Sequence, residues 1–96
     1  MAESPPQVIW LESARNDLQR ILHYIAAENP LAAARMAQEL LLAADSLTLF
    51  PHRGRPGLIP GTRELVIISP YVMIYEISGE NEIRILRLWH GAQDRF

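Results

Sequence analysis

Six of the eight arginine and histidine side chains in the second half of the chain stand out as candidates for chemistry. Residues 50–65 read FPHRGRPGLIPGTREL and set His52, Arg53, Arg55 and Arg63 among three prolines and three glycines, with one acid at the end. Arg84 and His90 follow in the run EIRILRLWH. A guanidinium offers paired hydrogen bonds to a carboxylate or a phosphate, and an imidazole changes charge near neutral pH. All nine basic residues are arginine. A GC-rich coding sequence explains that choice as readily as a demand for guanidinium does, so position is the better guide. Residues 1–50 carry three arginines against six acids, residues 51–96 carry six against five, and residues 51–63 carry three against none. The basic patch is therefore local, on a chain of net charge −2. That is weak electrostatic support for gripping a nucleic-acid backbone over a large area.

The elements that must hold these residues are legible from the hydrophobic pattern. VIWL at 8–11, after two prolines, reads as a first strand. From Ser13 the period becomes helical: Ala14, Leu18, Ile21, Leu22 and Ile25 recur on one face, with Arg15, Asn16, Gln19, Arg20 and His23 mostly on the other. Asn29 and Pro30 end that helix and start the next, because proline disfavours helical geometry in the residue before it and suits a first helical turn, and Asn29 is a good N-cap. The second helix is expected to run to about Phe50, with Ala33, Met36, Leu40, Ala43, Leu47 and Phe50 forming a seam against the first in an antiparallel hairpin. Leu31, Leu41, Leu42 and Leu49 lie off that seam. The plainer expectation is that they pack on a sheet; the alternative is a surface left apolar for a partner chain.

After the basic hinge come TRELVIIS, YVMIYEIS and EIRILRLWH, separated by SP at 69–70 and GEN at 79–81. Links this short cannot make parallel crossovers, so the three strands form an antiparallel meander. The expected class is α+β, in the order strand, helix, helix, strand, strand, strand, as one domain over residues 1–96. The chain has no cysteine, and its three histidines have no recognisable ligand spacing; neither a metal nor another cofactor is expected. No apolar run approaches the roughly 20 residues that span a membrane, and MAESPPQVIW is not a signal peptide. No membrane partner is expected, and a cytoplasmic location is.

This order of elements resembles the RelE/ParE superfamily of toxins from type II toxin-antitoxin modules. SARNDLQRILHYIAAENPLAA, LTLFPHRGRPGLIPGTREL, YVMIYEI and RLWHGAQD carry the resemblance, from about Val8 to Gln93. It implies a protein that arrests growth when free and is neutralised by a cognate antitoxin in a hetero-oligomeric complex. Members similar to RelE cut mRNA on the ribosome by assisting attack of a ribose 2′-hydroxyl on the adjacent phosphate. Members similar to ParE trap the cleaved-DNA complex of DNA gyrase and need no catalytic group. For a nuclease the resemblance and the residue types nominate Arg63, Arg84, His90 and His52, with Arg53 and Arg55 as further cations. Arg84 and His90 are six apart, which in a regular strand puts both on one face. Against this stand the absence of lysine, the absence of any tyrosine after Tyr75 and the acidic net charge.

GTREL and HGAQD are closer to ParE-like members, and the gyrase reading is preferred, with Arg53, Arg55, Arg63, Arg84 and His90 contacting the target. The ribosome-dependent endoribonuclease is the alternative, and a non-toxic regulatory partner is a third class. Antitoxin contact is expected at Leu41, Leu42 and Arg63, either over the second helix or along a sheet edge. The plainer readings stand beside these. The hinge glycines and prolines shape turns, Arg63 forms a salt bridge with Glu76 or Glu82, His23 is solvated, His90 hydrogen-bonds locally, and Trp10 and Trp89 are core or rim packing.

Overall fold

The computed structural model describes residues 4–91. The strand β1 (Gln7–Trp10) leads into the helix α1 (Glu12–Ala26), and α2 (Pro30–Ser46) follows after a short connection. The two-residue β2 (Arg55–Pro56) lies inside the hinge, and β3 (Thr62–Ile68), β4 (Tyr71–Ser78) and β5 (Glu82–His90) complete a five-stranded sheet of order β1-β5-β4-β3-β2. β3, β4 and β5 form the expected antiparallel meander, and β1 closes its far side parallel to β5. No strand was expected within the hinge. Arg55 and Pro56 in fact pair with Glu64 and Arg63, so the hinge is the sheet's other edge.

The break between the helices forms as the sequence predicts. The Asn29 side chain accepts a hydrogen bond from the Ala32 amide at 3.0 Å, and Pro30 occupies the first turn. α2 ends at Ser46, four residues earlier than expected, and turns carry the chain to Phe50. Phe50 thereby leaves the seam and is exposed, whereas Ala33, Leu40, Ala43, Ala44 and Leu47 are buried.

The core lies between the hairpin and one face of the sheet, where Ala14, Ile21, Leu40, Ala44 and Leu47 meet Leu65, Met73, Tyr75, Ile83, Ile85 and Leu88. Val8 and Trp10 of β1 pack against it. The expectation that the off-seam leucines pack on the sheet is overturned: Leu31, Leu41, Leu42 and Leu49 are exposed. The physical reason is width. The core-facing stripe of α2 is already filled by Leu40, Ala43 and Ala44, with Leu47 just past its end, and a helix cannot bury its whole circumference against one layer.

β1 pairs with β5 only as far as Trp10 and Ile85. The first turns of α1 take over from there: the Ser13 hydroxyl donates to the Leu86 carbonyl at 2.7 Å, and the Asp17 carboxylate accepts from the Leu88 amide at 3.0 Å. Asp17 is almost wholly buried and also accepts two hydrogen bonds from Arg87, at 2.7 and 3.1 Å, with Arg20 at 3.3 Å from the same carboxylate. A buried carboxylate needs this much compensation.

Candidate functional site

The hinge between α2 and β3 is held from three directions, and each hold starts from a residue type that the local geometry requires. The wholly buried Tyr75 of β4 donates its hydroxyl to the Pro51 carbonyl at 2.7 Å and accepts the Gly54 amide at 2.9 Å. Gly54 is glycine because the chain passes so close: a Cβ there would stand 2.8 Å from Tyr75 Cε1 and 2.9 Å from the Glu64 carbonyl oxygen. Arg63, opposite Tyr75 in the β3–β4 register, donates to the Gly54 carbonyl at 2.7 Å. Glu64 points the other way, as neighbouring strand residues must. Its carboxylate accepts from Arg55 at 3.2 Å and from the Leu58 amide at 3.1 Å. The tip closes as a turn in which Gly57 N–H donates to the Thr62 carbonyl at 2.8 Å and the Thr62 amide and hydroxyl both donate to the Ile59 carbonyl. Gly61 takes a φ of 84°, a left-handed conformation that favours glycine.

Three of the sequence-nominated cations are thus accounted for one by one. Arg63 is half-buried and donates inward to the hinge backbone; the expected salt bridge to Glu76 or Glu82 does not form, because those carboxylates belong to Arg84. Arg55 is exposed and paired with Glu64. Arg53 is exposed and donates to the Ser46 hydroxyl at 2.8 Å, tying the hinge to the end of α2. His52 is exposed and shares with Arg63 a hollow of about 360 Å³, lined also by Pro56, Gly61, Thr62 and Ile77. These two are the nominated groups that the structure brings to one place.

Arg84 and His90 are not brought together, and here the sequence expectation fails for an identifiable reason. Ile74 of β4 faces Arg87 while the next residue, Tyr75, faces Ile85, so β5 carries one extra residue between them. A bulge reverses the alternation of faces beyond it. Arg84 lies opposite Glu76, whereas His90 lies opposite Tyr71, on the side that Met73 and Leu88 turn to the helices. Arg84 is ringed by Glu82, Glu80 and Glu76 at 3.1, 3.3 and 3.7 Å. The Glu82 hydrogen bond is the chief cause that raises its pKa above the ordinary arginine value; desolvation opposes it, and the three carboxylate charges add to the rise. His90 stands edge-on to Tyr71, ring centroids 5.4 Å apart. Trp89 takes the Arg87 guanidinium over its ring at 5.6 Å, and His23 is exposed.

Sequence reasoning missed Tyr75, Glu64 and Asp17 as organisers. An acid at position 17, on the face that Ala14 and Ile21 define, was the available signal for Asp17, since a charge on a buried stripe demands a partner. Among the described residues no group of three or more His, Asp or Glu side chains could hold a metal ion, and no helix is long and apolar enough to cross a membrane.

Two further surfaces are open. Leu41 and Leu42 are 47% and 58% exposed on α2. A cleft of about 970 Å³ also opens between the helices, lined by Gln19, Arg20, His23 and Tyr24 of α1 and by Ala33 and Ala37 of α2. The motif HGAQD is described only to Gly91; Ala92, Gln93 and Asp94 lie outside the described residues.

Known proteins are similar to this chain in sequence and in fold. Toxin RelE2 of Caulobacter vibrioides is 46% identical over 88 residues, covering 91% of this chain and 97% of that protein. Toxin RelE1 of the same organism is 39% identical over 85% of this chain and 89% of its own length. The chromosomal ParDE toxin-antitoxin system from P. aeruginosa contains a chain that superposes with a TM-score of 0.77 at 28% identity, covering 90% of this chain and 96% of that one. The toxin-antitoxin complex RelBE2 from Mycobacterium tuberculosis contains one at 0.62 and 25%, covering 91% and 99%. The family described as the ParE toxin of the type II toxin-antitoxin system parDE matches residues 8–95, and the chain belongs to it, a toxin of the RelE/ParE superfamily.

Proposed function

We propose that this toxin arrests growth by acting on DNA gyrase, trapping the enzyme's cleaved-DNA complex, and that a cognate antitoxin holds it inactive. The observation that carries this reading is how the nominated cations are used. Cleavage of RNA through its 2′-hydroxyl asks for a proton acceptor, a proton donor and cations converging on one phosphate. Arg63 is turned inward to the Gly54 carbonyl, Arg84 is ringed by three carboxylates, and the β5 bulge separates Arg84 from His90. A toxin that works by occupying a protein surface needs none of that convergence. The net charge of −2 agrees, because docking into ribosomal RNA favours a strongly basic protein.

Two observations favour the second reading, a ribosome-dependent mRNA endoribonuclease. Relatives at 46% and 39% identity are named RelE. His52 and Arg63 also share one hollow. The experiment that separates the readings pairs two assays on purified toxin: gyrase supercoiling with detection of cleaved DNA, and mRNA cleavage on translating ribosomes. Cleaved DNA without RNA cuts is the expected outcome; codon-positioned RNA cuts with gyrase unaffected would reverse the assignment.

The antitoxin's contact surface is assigned to the exposed leucines of α2. Chains of similar fold belong to a toxin-antitoxin system and a toxin-antitoxin complex, and Leu41 and Leu42 offer the apolar anchors that a helix-in-groove or wrapping partner uses. Arg63 is less suited to that role than the sequence suggested, since its guanidinium serves the hinge.

A further inference from the structure

The tip of the hinge, PGLIPG at 56–61, sets two large aliphatic side chains in solvent: Leu58 is 70% exposed and Ile59 44%. Single exposed aliphatics are ordinary on protein surfaces. Two adjacent ones on a loop whose backbone is fixed at every turn are less so. The Leu58 amide is held by the Glu64 carboxylate, the Ile59 carbonyl by the amide and hydroxyl of Thr62, and the Gly57 amide by the Thr62 carbonyl. Pro56 and Pro60 flank the pair and restrict its backbone further. The entropy of ordering this tip is therefore lost on folding, so a partner that receives it need not supply that ordering.

The charge around the tip indicates what kind of surface receives it. Residues 51–63 contain three arginines and no acid. Arg55 is balanced by Glu64, whereas Arg63 donates to the Gly54 carbonyl and Arg53 to the Ser46 hydroxyl, so two hinge guanidiniums have no carboxylate partner among the described residues. Two such cations, one of them half-buried, are too few for a phosphate backbone, where affinity grows with the number of phosphates neutralised. The exposed one, Arg53, suits the polar rim of a protein pocket, where a few complementary charges set the approach.

We propose that Leu58 and Ile59 form a preformed aliphatic knuckle that inserts into an apolar pocket with an acidic rim on a gyrase subunit, apart from the α2 surface assigned to the antitoxin. This rests on the gyrase reading above. The knuckle carries binding, and Arg53 lies beside it as the rim cation. Tyr75, Arg63, Glu64 and Thr62 act as positioning residues that hold its backbone.

The test measures binding of the full-length toxin to purified DNA gyrase, binding to its purified antitoxin, and thermal unfolding, for the wild type, Leu58→Ser with Ile59→Ser, and Leu58→Met with Ile59→Val. The serine pair should weaken gyrase binding at least tenfold and abolish accumulation of cleaved DNA, with antitoxin affinity and melting temperature unchanged; the Met and Val pair should bind within threefold of wild type. Gyrase affinity of the serine pair within twofold of wild type overturns the knuckle while leaving the gyrase reading intact. Equal loss of antitoxin and gyrase binding, or a lowered melting temperature, overturns it by assigning these side chains to the antitoxin or to the fold. A wild-type toxin that binds no gyrase fails the parent reading itself, and the knuckle's assignment falls with it.

Discussion

Replacing Tyr75 by Phe removes a single oxygen atom and tests whether the hinge is held as described. That oxygen links two backbone groups 21 and 24 residues away, the Gly54 amide and the Pro51 carbonyl, from a side chain with no solvent exposure. The bond to the Pro51 carbonyl is worth about 1 kcal/mol net, and the buried Gly54 amide left without its partner costs about 1–3 kcal/mol. The ring stays, so no cavity larger than the hydroxyl forms. The sum is a loss of about 2–4 kcal/mol, a large part of the roughly 5–14 kcal/mol that a chain of this length can have. For a domain this small it lowers the melting temperature by roughly 10–30 °C. Urea unfolding with an unchanged m-value, read beside thermal unfolding, measures it. Tyr24→Phe is the control, because Tyr24 is 78% exposed and lies on α1; its effect should stay within about 0.5 kcal/mol. If Tyr75→Phe also stays within that limit, the hydroxyl does not hold the hinge, and the pinned platform on which the knuckle depends is refuted with it.

Further outcomes follow from the same contacts. Gly54→Ala should cost about 1–3 kcal/mol in urea unfolding, because one atom its Cβ would meet is the Glu64 backbone oxygen, which cannot rotate away. Asp17→Ala should cost about 2–4 kcal/mol, an amount discounted for the 42% exposure of the Arg87 side chain; a double-mutant cycle with Arg87→Ala should recover only part of it, since the Leu88 amide bond is lost in either background. His90→Ala should leave growth arrest in place while removing its edge contact with Tyr71, worth about 0.5–1.5 kcal/mol; loss of toxicity with the fold intact would favour the nuclease reading. Leu41→Glu with Leu42→Glu should weaken antitoxin binding by at least tenfold, about 1.4 kcal/mol, without changing thermal stability, because both side chains are already in solvent; unchanged affinity would move the antitoxin to the sheet edge.

Most of the fold was legible because its signals are local. The switch from alternating to helical periodicity, the Asn29 and Pro30 boundary and the short links of the meander each depend on a few neighbouring residues. Two things were not legible for the same physical reason, that they depend on pairing across the chain. β2 has two residues and exists only because Glu64 and Arg63 lie opposite. The β5 bulge had a partial signal in EIRILRLWH: strict alternation from Ile83 and Ile85 would have put Arg87 in the core and Leu88 outside it. One extra residue corrects this, so that Ile83, Ile85 and Leu88 are all buried. The candidate site was read by residue type and not by partner, which is why Arg63 and Arg84 looked available. A guanidinium's type announces a contact without saying whether the acceptor lies in another molecule or nine residues away.

That distinction decides what the basic hinge is for. A patch of three arginines invites a phosphate reading when only the sequence is in view, yet two of the three are consumed in building the loop they sit on. Arg55 and Arg63 flank the same two-residue ladder from opposite faces of β3, the one through Glu64 and the other through the Gly54 carbonyl. Their charges hold β2 against the sheet, where a strand of two residues has too few backbone hydrogen bonds to persist alone. Substituting either by alanine should then reduce toxicity by loosening the tip and not by removing a contact to the target. Lysine at 63 offers a test, since it keeps the charge but replaces the planar guanidinium by a compact, mobile ammonium. A target contact that needs only positive charge survives Arg63→Lys. A hinge latch that needs a donor held 2.7 Å from the Gly54 carbonyl is weakened by it, and faster hydrogen exchange at the Gly57 and Leu58 amides would report the loosening directly.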